Sequence, residues 1–220
     1  MEDTPDLQHY IDLARSTLQP DFGMGWNLLL ALFPLALALV LFRRGRSAGL
    51  LWWIGLVVFV LFLPNSAYTP TDVIHLVHRI RQQPYIPVWR VSLLLIPEYA
   101  LFMYAGLQAH TLSLLLFGDY LRSRGWRWFT IVPLELVMNL LVSLGIYFGR
   151  FQRFNSWDVI HDPERIGLAA IDDFTERYPQ HAIAATFVVL CVLYYTTKLV
   201  DRALIEYFGS RRRTASLDTE

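Results

Sequence analysis

The chain has 220 residues, of which 55% are hydrophobic and only 17% charged, against about 45–50% and about 25% in soluble domains. Its nineteen basic and nineteen acidic side chains cancel to a net charge of zero. These sums exclude a disordered chain and a nucleic-acid binder held by bulk positive charge, and they argue against an ordinary soluble enzyme.

In chain order, residues 1–23 are acidic: Glu2, Asp3, Asp6, Asp12 and Asp21 face a single Arg15. The positive region of a secretory signal is missing. Thr4-Pro5 reads as a helix cap and first turn, and Leu7, Tyr10, Ile11, Ala14 and Leu18 then share one face. This predicts an amphipathic helix lying on the membrane surface. Five apolar runs follow, at 24–42, 48–68, 91–117, 129–149 and 181–200, each near the ~20 residues that cross a bilayer. Pro64 lies near the end of the second, and the third is long enough to tilt or to break at Pro97. Residues 24–200 are therefore expected to be an all-α, polytopic bundle of about five transmembrane helices. Residues 163–176 read as a surface or re-entrant helix, and 201–220 as a basic tail. Cys191 is the only cysteine, so neither an internal disulfide nor a Cys-rich zinc site is available, and it reads as a small hydrophobe.

Lysine and arginine set the orientation. One side holds Arg43, Arg44, Arg46, Arg122, Arg124, Arg127, Lys198, Arg202 and Arg211 to Arg213, eleven in all, against five acids. The other holds eight basic residues against twelve acids, and Glu98 and Glu135 remain within spans. The first side, at +6, is expected to be cytoplasmic; the N-terminus then lies outside, on a face at −4.

With this topology the loops after the second and fourth spans share the outer face. They read Leu63-Pro64-Asn65-Ser66-Ala67-Tyr68-Thr69-Pro70-Thr71-Asp72-Val73-Ile74-His75-Leu76, and Gly145-Ile146-Tyr147-Phe148-Gly149-Arg150-Phe151-Gln152-Arg153-Phe154-Asn155-Ser156-Trp157-Asp158. The pattern LPNxxYxxTDxxHL followed by SLGIYxGRFxRxNSWD resembles a family of bacterial multi-pass membrane proteins, domain-of-unknown-function family 1361. The resemblance implies a bacterial inner-membrane location. It implies no reaction and no cofactor, so the chemistry rests on the residues themselves.

Asp72 and His75 are three apart, which puts them on one helical face, and His78 and Arg79 follow. Asp158 and His161 repeat the spacing. Two imidazoles and two carboxylates could ligate a divalent metal such as zinc, with an open position to activate water. Without a metal the same residues read as a helix cap and solvated interfacial histidines. Asp72, His75 and Asp158 are also the candidates for proton handling. Arg150 and Arg153 are three apart, and arginine forks bind phosphate bidentately; Asn65, Asn155, Ser66 and Ser156 could add hydrogen bonds. Tyr68 and Trp157 suit the headgroup layer. An anionic lipid headgroup or lipid-linked phosphate is the ligand these groups fit. The competing reading is ion pairing, Arg150 with Asp72 or Arg153 with Asp158. A Ser156, His75 and Asp158 nucleophile system lacks any signal for a strained elbow or oxyanion hole.

The fourth run carries Glu135, Asn139, Ser143 and Tyr147 at successive steps of four, ending near Arg150; the third carries Glu98, Gln108 and His110. A charge at the bilayer centre costs ~2.5–3.5 kcal/mol on insertion scales, so such groups face protein or water. The stripe reads either as a polar pathway or as a hydrogen-bonded seam, and Gly145 and Gly149 would let this helix pack closely. Glu135 is near enough to the cytoplasmic end to reach for that interface. Three functions follow: a headgroup-binding or catalytic site, a small transporter or channel subunit, or a structural partner without activity of its own. The orientation is open to a direct check. An alkaline phosphatase reporter fused after Glu220 should be inactive and a green fluorescent protein fused there bright, and the opposite pair of results would reverse the topology.

Overall fold

The computed structural model describes residues 22–43, 49–82, 86–150, 164 and 177–217, without the side chains of Phe22, Arg177, Tyr178 and 211–217. Among these residues there is no strand. Helix α1 (Phe22–Leu41) is followed by α2 (Leu50–Tyr68), a 3-10 turn (Thr69–Asp72) and α3 (Val73–Gln82). A short α4 (Val88–Arg90) runs through a π turn (Val91–Leu95) into α5 (Ile96–Ser123). Then come α6 (Trp128–Arg150) and α7 (Arg177–Leu217). Five helical stretches are long and apolar enough to cross a membrane, as the apolar runs predict: Gly23–Leu41, Leu50–Gln82, Val88–Ser123, Trp128–Arg150 and Pro179–Ser210. The segments 1–21, 151–163 and 165–176 lie outside the described residues, and with them the predicted N-terminal helix and the surface or re-entrant helix.

The helices run longer than their apolar cores. The second does not stop at Thr69-Pro70. Pro70 sits at the start of the 3-10 turn, where its missing N–H is no loss. The Thr69 hydroxyl donates to the Ser66 carbonyl at 3.2 Å and the Thr71 hydroxyl to the Tyr68 carbonyl at 2.6 Å, so the carbonyls left over by the tighter turn are satisfied. Pro97 does not break the third helix either. The preceding residues Val91–Leu95 widen into a π turn, which absorbs the clash and the lost hydrogen bond that proline imposes on the turn before it. The fifth helix continues past Val200 to Leu217.

Helix α5 is the centre. Half of its apolar window is buried, 50%, against 17% for the window of α7. Helix α1 packs on α2 and α5, α6 on α2 and α5, and α7 on α6 and α5. Large apolar side chains such as Leu29, Leu51, Val57, Leu101, Val192 and Leu199 point outward, the reverse of a soluble domain and the surface that lipid requires. Inside, Phe42 meets Phe59, Phe117 and Tyr120 with ring centroids 5.1, 5.2 and 5.7 Å away, and Trp52 stacks on Tyr120. The indole N–H of Trp52 donates to the Leu41 carbonyl at 3.0 Å, satisfying one of the orphan carbonyls that end α1. Between α5 and α6, Gly125 takes the left-handed conformation (φ 85°). Trp126 N–H bonds back to the Leu121 carbonyl at 3.1 Å and Gly125 N–H to that of Arg122 at 3.0 Å, a Schellman end that turns the chain in a few residues.

Two glycines set interhelical spacing. A Cβ on Gly106 would lie 2.1 Å from the Thr69 hydroxyl and 2.8 Å from the Ser66 carbonyl oxygen, so α5 and the end of α2 touch backbone to backbone. A Cβ on Gly145 would lie 2.5 Å from the Pro64 ring, which places one of the two expected small-residue contacts of α6 against α2. Substituting Gly106→Val should destabilise the bundle by roughly 1–3 kcal/mol or more, since the obstructing atoms include backbone. Gly25→Ala, where nothing lies within 4 Å, should be neutral or slightly stabilising. Thermal unfolding of the two variants in the same detergent checks the contrast.

Candidate functional site

The first motif-bearing segment and the described part of the second, residues 145–150, meet at one end of the bundle. The 3-10 turn carries Asp72 inward, where it is 3% exposed. Arg150, the last residue of α6, reaches across to it. One guanidinium nitrogen donates to the Tyr68 hydroxyl at 2.7 Å and the other to the Thr71 carbonyl at 2.6 Å, and the Asp72 carboxylate lies 3.5 Å away. The guanidinium also sits over the Tyr68 ring, 5.0 Å from its centroid. Arg150 thus ties the end of α6 to the turn after α2 by charge, hydrogen bonds and a ring contact at once. Asn65 donates to the Phe62 carbonyl of its own helix at 3.1 Å. Arg153, Asn155, Ser156, Asp158 and His161 lie outside the described residues.

Beside Asp72, a cavity of about 360 Å³ opens between α1, α3 and α5. Asp72 and Asn27 flank it, and the Asn27 amide faces the carboxylate. His75, His78, Arg79 and Gln82 line it from α3, at the i, i+3, i+4, i+7 spacing of a single helical face. His75 Nε2 is 3.6 Å from the Asp72 carboxylate, and the Gln82 amide donates to His78 Nε2 at 2.7 Å. Met24, Tyr99 and Phe102 form the less polar side. The opposite face of α3 exposes Val73, Ile74 and Val77. This amphipathic helix therefore keeps its polar face over the cavity and its apolar face outward, as a helix bordered by lipid does. Among the described residues no three His, Cys, Asp or Glu side chains gather as metal ligands.

A second polar cluster lies toward the opposite end. Glu135 is 1% exposed, and both its carboxylate oxygens accept from Lys198 of α7, at 2.6 and 2.5 Å. The Lys198 ammonium also stands 5.2 and 5.5 Å from the Tyr194 and Tyr195 ring centroids. Glu135 does not reach out to the interface as its position in the sequence allows; Lys198 reaches in. Asn139 donates to the Glu135 backbone carbonyl at 2.8 Å, its side-chain oxygen lies 3.1 Å from His110 Nε2, and Ser143 donates to the Asn139 carbonyl at 2.8 Å. The stripe of α6 thus faces inward as a unit. Glu98 does not join it: it is exposed in the first turn of α5. Gln108 donates to Asp201 at 2.8 Å, and Arg202 pairs with Asp119.

Several of these partners were not singled out in the sequence. Asn27 and Gln82 carry no motif, and Gln82 is legible only as the continuation of the His75, His78, Arg79 face. Lys198, inside the fifth apolar run, counts in the sequence only as one of the eleven basic residues of the +6 side. The signal that finds it is a lone lysine ending an apolar run while another span holds an unpaired glutamate.

Removing the charge of Arg150 leaves Asp72 buried without its countercharge. Arg150→Met should cost about 3–5 kcal/mol, the usual penalty for breaking a buried pair. Asp72→Asn should recover much of that loss in the double variant, and a double-mutant cycle on thermal or denaturant unfolding measures the coupling. A coupling near zero would mean that the contact does not hold the helices.

No curated protein and no solved structure matches the chain. A family model described as a protein of unknown function, DUF1361, matches residues 26–192. The five apolar spans agree with a membrane protein, and by this match the chain belongs to the DUF1361 family.

Proposed function

We propose that this is a multi-pass protein of the bacterial inner membrane, N-terminus outside, whose Asp72-side cavity binds the anionic headgroup of a lipid or lipid-linked phosphate. The observation that carries the reading is the cavity's two-sided lining: a polar face from α3 with Asn27 and Asp72, and an apolar one from Met24, Tyr99 and Phe102. An amphiphile matches both, with its head on the first and the start of its tail on the second.

Charge supports an anion. Arg79 lines the cavity, and a guanidinium fork matches the geometry of a phosphate bidentately. The Asp72–His75 pair supplies a group that can hold or accept a proton next to the bound head. In this arrangement Arg150 acts as a positioning residue. The outward apolar face of α3 favours a ligand drawn from the bilayer over a free anion in water. The orientation rests on the distribution of basic residues, +6 on one side against −4 on the other.

Native mass spectrometry of the full chain in mild detergent tests this, with phosphatidylglycerol and phosphatidylcholine supplied in equal amounts. The wild type should retain the anionic lipid in preference. Arg79→Gln should reduce that preference by roughly tenfold, the effect of losing one charge-assisted hydrogen bond. Equal retention of the two lipids, or a preference unmoved by Arg79→Gln, would remove the proposal.

A further inference from the structure

The Glu135–Lys198 cluster does not line the Asp72-side cavity, and its hydrogen bonding is not that of a sealed seam. Where helices meet in hydrocarbon, a purely structural seam satisfies its own polar atoms, because lipid offers no others. Here the Asn139 amide nitrogen donates to the Glu135 carbonyl, so the Asn139 oxygen is the atom turned to His110. That oxygen can only accept, so His110 carries its proton on Nε2 and its lone pair on Nδ1. His110 is fully buried, and Nδ1 has no hydrogen-bond partner among the described residues; neither has the hydroxyl of Thr111 beside it. A buried base is thus left open, with its ring 5.9 Å from that of Tyr194. Tyr194 in turn stands beside the Glu135 carboxylate. One turn before His110, Gly106 brings α5 against Thr69, three residues from Asp72. At the other limit the Lys198 side chain is 18% exposed.

We propose that α5, α6 and α7 enclose a proton path through the membrane interior, with Glu135 as its central carrier, Lys198 as its entry and His110 as the next acceptor. In the first step the Lys198 Nζ–H bond breaks and leaves its electron pair on nitrogen, while an O–H bond forms on Glu135. Ammonium and carboxylate become amine and carboxylic acid. Both charges vanish together, so no lone ion is stranded in hydrocarbon. The amine regains a proton from water at its own end of the bundle. The Glu135 O–H bond then breaks, leaving a carboxylate beside the restored ammonium, and an N–H bond forms on His110 Nδ1. The Nε2–H stays on the Asn139 oxygen, so the imidazolium releases the Nδ1 proton to water reaching it from the Thr69–Asp72 side, and the electron pair of that bond returns to nitrogen.

The test is proton entry into vesicles holding the full chain and a trapped pH-sensitive dye, with valinomycin and potassium compensating charge. After an external acid pulse, wild-type vesicles should acidify at least roughly tenfold faster than protein-free ones, and Glu135→Gln should return the rate to about the protein-free value. Lys198→Arg keeps the charge but not an amine that deprotonates, so it should slow entry as well. Should Glu135→Gln fail to give folded protein, His110→Gln decides, since it keeps a donor for Asn139 and removes the base. Wild-type vesicles no faster than protein-free ones, or a His110→Gln rate equal to wild type, would overturn the path. A role in packing alone predicts both of those results.

Discussion

Lipid tails are as apolar as leucine, and that fact governs how this bundle holds together. Turning Val192 or Leu29 from lipid toward a neighbouring helix gains little, so apolar surface alone selects no particular arrangement of the spans. What does discriminate is the set of groups that hydrocarbon cannot solvate. Asp72 finds Arg150, Glu135 finds Lys198, Gln108 finds Asp201 and Asp119 finds Arg202, and each contact joins elements far apart in sequence. Helix α7 shows the principle most clearly. It has the least buried apolar window of the five, yet three positions on its inner face are tied by charge or hydrogen bond to α5 and α6.

The polar groups fall into two clusters with different surroundings. At the Asp72 end, a rigid tie of Arg150 to Tyr68, Thr71 and Asp72 borders an open cavity, and the polar face of α3 closes over it. At the other end, Glu135 is buried, and the partly exposed Lys198 reaches it past the Tyr194 and Tyr195 rings. Gly118 lets α5 pass close to that carboxylate, since a Cβ there would be 3.0 Å from Glu135 Oε1. The first cluster has the shape of a recognition site and the second that of an interior charge store. Between them, the close approach of α5 to the end of α2 at Gly106 leaves little room for independent motion.

Much of this was legible in the chain. Apolar runs of span length, separated by basic turns, announce the five helices because backbone polar groups in lipid must be satisfied within each segment. The meeting of Asp72 with Arg150 follows once the outer ends of the second and fourth spans share a face. The inward stripe of Glu135, Asn139 and Ser143 follows from the period of 3.6. The continuation of the second helical stretch past Pro70 and of the third through Pro97 was not legible. Proline marks a disturbance, but the threonine hydroxyls and the π turn that absorb it depend on the neighbouring backbone.

The sequence by itself determined the class of molecule, the number of crossings and the faces on which polar residues lie, because the bilayer imposes length and periodicity on each helix separately. The tertiary structure decided which polar group answers which. Lys198 rather than water meets Glu135, Arg150 holds a turn 79 residues away through the Thr71 carbonyl, and the Asn139 amide fixes the His110 tautomer. Those pairings depend on the distance between helices, and a zero net charge holds no record of distance. Electrostatic and hydrogen-bond energies fall steeply with separation, so the choice of partner appears only when the spans are packed.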